Sequence, residues 1–155
     1  MVPRRRTRAR ELAVQFLYQL DLRGEEVIGS LQEFVEGETD DKDVREFAIR
    51  LTLGARNRQE ETDRCLREVA RNWDLSRMAV LDRNVLRMAV YELLHCPDIP
   101  PKVTINEAIE IGKKYSTSNS GAFINGILDR VRLDRIEEST QNADSGEHTT
   151  LGQDL

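Results

Sequence analysis

Cysteine and histidine are scarce in this chain, and no stretch of it is apolar enough to cross a membrane. It has two cysteines and two histidines in 155 residues. They form neither a CxxC motif nor a His/Cys cluster, so we expect no metal site and no cofactor. Two isolated cysteines without an export signal favour a reducing cytosol, and hence a cytoplasmic protein. No run approaches the roughly 20 apolar residues that a membrane helix needs, which argues against a membrane partner.

The chain also lacks the alternation of apolar and polar residues that is typical of β-strands. Without strands, no glycine-rich phosphate loop can follow one. Ser118 and Ser120 have no plausible histidine partner, since His95 precedes prolines and has no evident group to orient it. We therefore expect an all-α protein that binds its target and is not an enzyme.

Apolar residues instead recur at helical spacing, in enough segments for a compact bundle of six or seven helices. The segment 82–94 is apolar around most of its circumference, which predicts a buried helix at the axis of the domain. Arg83 and Arg87 lie one turn apart on its remaining polar stripe. We expect them to pair with carboxylates such as Glu92 or Glu107.

Capping residues suggest where several helices begin. Thr7 is a candidate N-cap for the first helix, and Asp82 can cap the central one. The stretch Thr104-Ile105-Asn106-Glu107 has the S/T-x-x-E pattern of a capping box. From 41 to 72 one apolar stripe continues through Gly54, which costs about 1 kcal/mol relative to Ala. We favour a single long helix there.

Charge is strongly segregated along the chain, although the net charge is only −5. Residues 1–10 contain five arginines and no acid, whereas 137–155 contain five acids and no lysine or arginine. We expect one helical domain over 1–136, with a basic N-terminal arm, and a disordered polar and acidic tail over 137–155. A basic arm on an acidic body suits a polyanion, although a solvated terminus is the alternative. Guanidinium groups bind phosphates and stack on bases, and the candidates are Arg5, Arg6, Arg8 and Arg10.

A polar loop over 116–121 is the second candidate binding element. Its side chains and the amides at the start of the following helix suit a phosphate or a base edge. The alternative is a loop that only caps that helix. The candidates here are Ser118, Asn119 and Ser120, with Lys102 and Lys114 adding positive charge nearby.

Four ordered blocks carry a resemblance to a known family. They are 82–87 (DRNVLR), 91–94 (YELL), 105–110 (INEAIE) and 123–129 (FINGILD). Together with the first helix they resemble the NusB family of transcription antitermination factors over about residues 4–133. The match at the start of the chain also argues against an organelle transit peptide there. Two positions depart from the family pattern: Ala122 stands where a lysine is frequent, and Ser116 where glycine is common.

The resemblance implies an all-helical protein that binds boxA-type single-stranded RNA together with NusE, a small-subunit ribosomal protein. Such a pair joins the RNA polymerase antitermination complex and helps it pass terminators, chiefly in ribosomal RNA operons. The family's RNA-binding positions correspond here to the arginine arm and the 116–121 loop. Asp82 is the candidate contact for NusE, with a helix cap as its alternative role. The resemblance also allows a homodimer.

Two other interpretations remain open from the sequence. A NusB-like domain also precedes the catalytic domain of some ribosomal RNA cytosine methyltransferases, so an RNA-targeting module is the main alternative. A helical DNA-binding regulator would need a polar recognition helix, and the most plausible helix pair here is too apolar.

Overall fold

The computed structural model describes residues 2–135, and that part of the chain contains seven α-helices, two 3₁₀ turns and no strand. The helices are α1 (Val2–Arg23), α2 (Leu31–Glu38), α3 (Lys42–Asn57), α4 (Gln59–Val69), α5 (Val80–His95), α6 (Pro101–Tyr115) and α7, which covers 120–135. The 3₁₀ turns are Glu25–Ser30 and Leu75–Arg77. The all-α prediction is confirmed. The predicted acidic tail lies outside the described residues.

Helix α5 is the axis of the bundle, as its sequence predicts. Val85, Leu86 and Val90 have no exposed surface, and α5 contacts α1, α3, α4 and α6. Burying a side chain of this kind stabilises the fold by roughly 1.5–3 kcal/mol relative to leaving it in water. Because α1 and α6 both pack on α5, their outer surfaces are held in a fixed relation to each other.

Gly54 allows α3 to pack against the ring of Tyr91 on α5. A Cβ atom at position 54 would overlap that ring. The glycine therefore serves helix contact and not a turn, and its low helix propensity is outweighed by the packing that it permits.

The predicted single helix over 41–72 is wrong, because the helix ends at Asn57 and a second one begins at Gln59. Arg58 leaves helical geometry, with φ −106° and ψ 18°, and joins α3 to α4. An unbroken helix of that length would extend about 48 Å. With the break, α3 and α4 both contact α5, and each buries its own apolar residues, such as Leu51 and Leu66.

Two predicted helix starts are also wrong, because both threonines bind other helices. Helix α1 begins before Thr7, whose hydroxyl donates to the Glu107 carboxylate at 2.9 Å. Helix α6 begins at Pro101, whose fixed φ suits the first helical position. Thr104 lies inside α6 and donates to Glu92 at 2.9 Å. The pattern that predicted a capping box therefore connects α6 to α1 and α5.

Arg83 and Arg87 do pair with carboxylates, but the partners lie on α1 and α4. Arg83 Nη2 is 2.8 Å from Asp21 Oδ2, and Arg87 Nε is 2.8 Å from Asp63 Oδ1. Burial raises the pKa of Asp21, but hydrogen bonds from Arg83 and Asn84 and the charges of both arginines outweigh it and hold that pKa below its usual value. The network joins the C-terminal half of α1 to α5 and α4.

The two cysteines are both free and buried. Burial is the main reason that the pKa of the Cys65 thiol and that of the Cys96 thiol lie above their ordinary value. Within residues 2–135, no helix combines the length and the apolar character needed to cross a membrane.

Candidate nucleic-acid interface

The arginine arm is not a loose terminus but the first turns of α1. Arg4, Arg5 and Arg6 are exposed, and Arg8 is partly exposed. The Arg6 guanidinium carbon lies over the Phe47 ring of α3, 4.0 Å from its centroid. A guanidinium at this distance from an aromatic face is held by a cation–π interaction. The arm therefore presents its charges on a rigid helix, with one of them anchored on the domain.

Arg10 is in a different environment from the other predicted arginines. Its side chain is 2% exposed and its Nη2 is 2.6 Å from Glu92 Oε1, in a pair whose partner is fully buried. Arg10 Nε also donates to Glu92, and Thr104 donates to the same carboxylate. This geometry does not support a direct phosphate contact by Arg10. The contacts of Arg10 with Glu92 connect α1 to α5.

Carboxylates of the α2–α3 region surround the exposed arginines. Arg5 Nε is 3.1 Å from Asp41 Oδ2, and its Nη1 is 3.5 Å from Asp43 Oδ2. Arg8 Nη2 is 3.0 Å from Glu38 Oε2. Such exposed pairs contribute only about 0–1 kcal/mol each, so a phosphate can displace the carboxylate. The arm is less positive in the fold than its sequence suggests.

Lys114 and Lys102 lie on α6, next to α1. Lys114 Nζ is 2.9 Å from Glu11 Oε2 while its own side chain stays 63% exposed. The hydrogen bond to Glu11 is the largest cause of a raised pKa at Lys114, which keeps it cationic. The Tyr115 hydroxyl donates to the same Glu11 oxygen. Lys102 is exposed in the first turn of α6.

The polar loop divides into an exposed part and a buried anchor. Ser118 and Asn119 are exposed. Ser120 is 2% exposed and begins α7, and its hydroxyl donates to Asp82 Oδ2 at 3.1 Å. Ser116 Oγ lies 3.0 Å from the same hydroxyl. Ser120 therefore fixes the loop, while Ser118 and Asn119 are free to meet a ligand.

Asp82 does not cap α5, because Ala79 occupies that position and Asp82 lies in the first turn. Its side chain is 8% exposed. Among the described residues, its Oδ1 is the one buried side-chain oxygen or nitrogen without a hydrogen-bond partner. Asp82 therefore joins the start of α5 to the start of α7.

Helix α1, which carries the arm, is joined by side-chain contacts to α6, which leads into the loop. Thr7 contacts Glu107, and one turn later Glu11 contacts Lys114 and Tyr115, which immediately precede the loop. With a rise of 1.5 Å per residue, Arg4 and Glu11 are about 10 Å apart along α1. The contacts between α1 and α6 thus connect the helix that carries the arm with the helix that leads into the loop, whereas Arg5, Arg6 and Arg8 contact residues of α2 and α3 or the residue that caps α3.

An exposed apolar pair on α1 was missed by the sequence reasoning. Tyr18 is 39% exposed and Leu22, one turn later, is 58% exposed. Asp21 lies between them in the sequence. It accepts a hydrogen bond from Arg83, the residue that follows Asp82. Tyr18 and Leu22 both fall outside the apolar stripe of the first helix, which is the signal that could have marked them as surface residues. Neighbouring exposed apolar side chains of this size suit a protein partner.

Within residues 2–135 no group of three or more histidine, cysteine or acidic side chains is placed to hold a metal ion. The site consists of cations, hydroxyls and an amide on a fixed surface, a combination that binds phosphates and base edges.

Comparison with known proteins gives consistent matches along most of the chain. A sequence model of the NusB family matches residues 7–132. A transcription antitermination protein NusB of Desulfatibacillum aliphaticivorans is 46% identical over 129 residues, covering 83% of this chain and 90% of that protein. Another, of Anaeromyxobacter dehalogenans, is 49% identical over 128 residues, covering 82% and 89%.

Solved structures agree with the sequence comparisons. T. maritima NusB superimposes with a TM-score of 0.72 at 41% identity, covering 83% of this chain and 90% of that one. A chain from a crystal structure of antitermination factors NusB and NusE in complex with dsRNA gives a TM-score of 0.77 at 31% identity, covering 84% and 98%.

Proposed function

Because the chain belongs to the NusB family, we propose that it is a transcription antitermination factor that binds boxA-type single-stranded RNA together with NusE. The bound pair joins the antitermination complex of RNA polymerase and helps it pass terminators, chiefly in ribosomal RNA operons. Support for antitermination, and for NusE and RNA as partners, comes from relatives that carry this name and from the structural neighbour in which NusB and NusE occur in complex with dsRNA. Transcription places the protein in the cytoplasm.

The proposed RNA surface runs from the arm to the polar loop. The observation that carries it is the Arg6 guanidinium held over Phe47 of α3, with Arg5 exposed next to it in the same first turns of α1. Direct contacts are assigned to Arg5, Arg6, Arg8, Lys102, Lys114, Ser118 and Asn119. Arg10 and Ser120 are positioning residues, because both are buried and hold the elements that carry the others.

Binding proceeds by exchange of ionic partners and involves no covalent chemistry. RNA phosphates replace Asp41 and Asp43 on Arg5, and Glu38 on Arg8. Unpaired bases then meet the hydroxyl of Ser118 and the amide of Asn119, which hydrogen-bond to base edges in the way single-stranded RNA is usually read. A duplex would keep those edges paired, so the single strand is the favoured ligand.

NusE is proposed to dock at the C-terminal half of α1 and the start of α5. Tyr18 and Leu22 supply the exposed apolar contact. Asp82 is only 8% exposed and its unpaired Oδ1 is buried, so its proposed part is to hold the start of α5 in place for NusE and not to touch it directly. A Leu22→Asp change should weaken capture of NusE and leave RNA binding by the chain alone intact. Loss of both activities together would contradict a separate partner surface.

The experiment that tests the function is RNA binding by an Arg5→Ala/Arg6→Ala/Arg8→Ala variant, with and without NusE. The variant should lose most of its affinity for boxA-type RNA, and an unlabelled duplex should compete poorly with the single strand. The matched control removes three other arginines away from the arm, in the variant R58A/R64A/R132A. Equal affinity of the two triple variants would overturn the proposed site.

A further inference from the structure

Trp73 is the only tryptophan in the chain, and it is 59% exposed. It follows the end of α4, and its ring meets the ring of Phe123 on α7 edge-on, with centroids 5.1 Å apart and an interplanar angle of 68°. A large aromatic side chain is normally among the most buried. More than half of this indole is instead open to solvent, beside a second aromatic ring.

The two rings line an open groove of about 790 Å³ between the end of α4 and α7. Arg71 and Arg130 lie on its rim, together with the acids Glu68 and Asp134. Arg130 pairs with Asp134 at 3.3 Å, but both side chains are well exposed, and such pairs are weak. Among the described residues, Arg71 donates only to the backbone carbonyl of Glu68. Each guanidinium carries five N–H donors, so both retain donors for a phosphate.

The groove continues the proposed RNA surface. Phe123 lies one turn along α7 from Ser120, which anchors the loop that presents Ser118 and Asn119. A strand that passes over this loop away from the arm therefore reaches the groove next. Its rim combines cations with an exposed aromatic ring, which is the combination that holds unpaired nucleotides.

We propose that this groove binds nucleotides of the same single-stranded RNA that flank the boxA-type element. One base stacks on Trp73, and Arg71 and Arg130 hold the neighbouring phosphates. This inference rests on the proposed function. Stacking on an aromatic ring is tolerant of base identity, so the groove adds affinity for a longer transcript without reading further sequence.

The single tryptophan makes the test direct, because its emission reports on this groove alone. The full chain is titrated with a short boxA-type RNA, and then with the same RNA extended by oligouridine at one end or the other. Stacking should quench Trp73 emission with one extended RNA and not with the short one. Unchanged emission with both extended RNAs, at saturation measured by anisotropy of a labelled RNA, would overturn the proposal.

Variants separate stacking from mere packing. Trp73→Ala should bind the matching extended RNA about fivefold or more weakly and the short RNA as before, whereas Trp73→Phe should keep most of the added affinity. Arg71→Ala/Arg130→Ala should also weaken binding of the extended RNA only. Leu133→Ala removes an exposed apolar side chain elsewhere on α7. It should change the affinity for neither the short nor the extended RNA.

The two proposals fail in different ways. If removal of the arm arginines leaves the affinity for the short RNA unchanged, the proposed function fails. If the short RNA binds through the arm and the extension adds no affinity, only the groove proposal fails. Quenching of Trp73 by NusE in the absence of RNA would mark the groove as a protein-binding surface and would also overturn it.

Discussion

The Arg10 guanidinium and the Glu92 carboxylate form an ion pair of 2.6 Å in which neither side chain is more than 2% exposed. Thr104 completes the pair by donating to Glu92 from α6. The three residues connect α1, α5 and α6, the helices that carry both the arm and the loop. The proposed RNA surface is therefore built on a buried polar junction.

Removing one member of this pair should destabilise the protein strongly. Arg10→Ala leaves the Glu92 carboxylate buried without its cation, which typically costs about 3–5 kcal/mol. Urea denaturation of the full chain measures the change in the free energy of unfolding. The double variant Arg10→Met/Glu92→Leu buries no charge and should recover much of the loss. A single-variant cost below about 1 kcal/mol would contradict the structural role assigned to Arg10.

The lowered pKa of Asp21 predicts a loss of stability in acid. A carboxylate whose pKa is lowered by folding stabilises the protein above its unfolded pKa of about 3.9, and this contribution disappears as pH falls through the lowered value in the fold. Urea denaturation at a series of pH values should show a fall in stability below about pH 4. Asp21→Asn should be less stable at neutral pH and show a shallower fall. Parallel pH profiles for the two proteins would contradict the assignment.

Gly54 and Gly126 should respond oppositely to alanine. A Cβ at Gly54 overlaps the Tyr91 ring, whereas one at Gly126 meets no atom within 4 Å. Gly54→Ala should lower the free energy of unfolding by about 1–3 kcal/mol through overpacking. Gly126→Ala on helix α7 should be neutral or raise it by up to about 1 kcal/mol. Thermal and urea unfolding measure both, and equal effects would show that α3 does not pack on Tyr91 as described.

The acids around the arm should limit RNA affinity at low salt. Asp41→Asn/Asp43→Asn removes both carboxylates that pair with Arg5. RNA phosphates then bind Arg5 without having to displace a carboxylate. We expect severalfold tighter binding of boxA-type RNA, shown by anisotropy of a labelled strand. Glu33→Gln/Glu60→Gln removes two exposed acids elsewhere and is the matched control for net charge. Equal gains in the two variants would assign the effect to overall charge and not to the contacts with Arg5.

The sequence predicted the fold and the segments of the proposed site, but not the environments of individual residues. The central helix can be predicted because 82–94 is apolar nearly all round. A helix of that kind is buried whichever helices pack against it. The burial of Arg10 is not readable, since its partner is 82 residues away along the chain. The interruption between α3 and α4 at Arg58 has no local sequence signal either. It allows both helices to pack against α5, a contact that the local sequence does not show.

The clearest test of the account is the salt dependence of RNA binding by the wild type and by R5A/R6A/R8A. Each phosphate neutralised on a single strand contributes about −0.7 to the slope of log affinity against log salt. With three to five cations engaged, the wild type should have a slope of about −2 to −3.5. The variant should lose about 2 units of that slope. Equal slopes for the two proteins would show that the arm does not bind the RNA backbone.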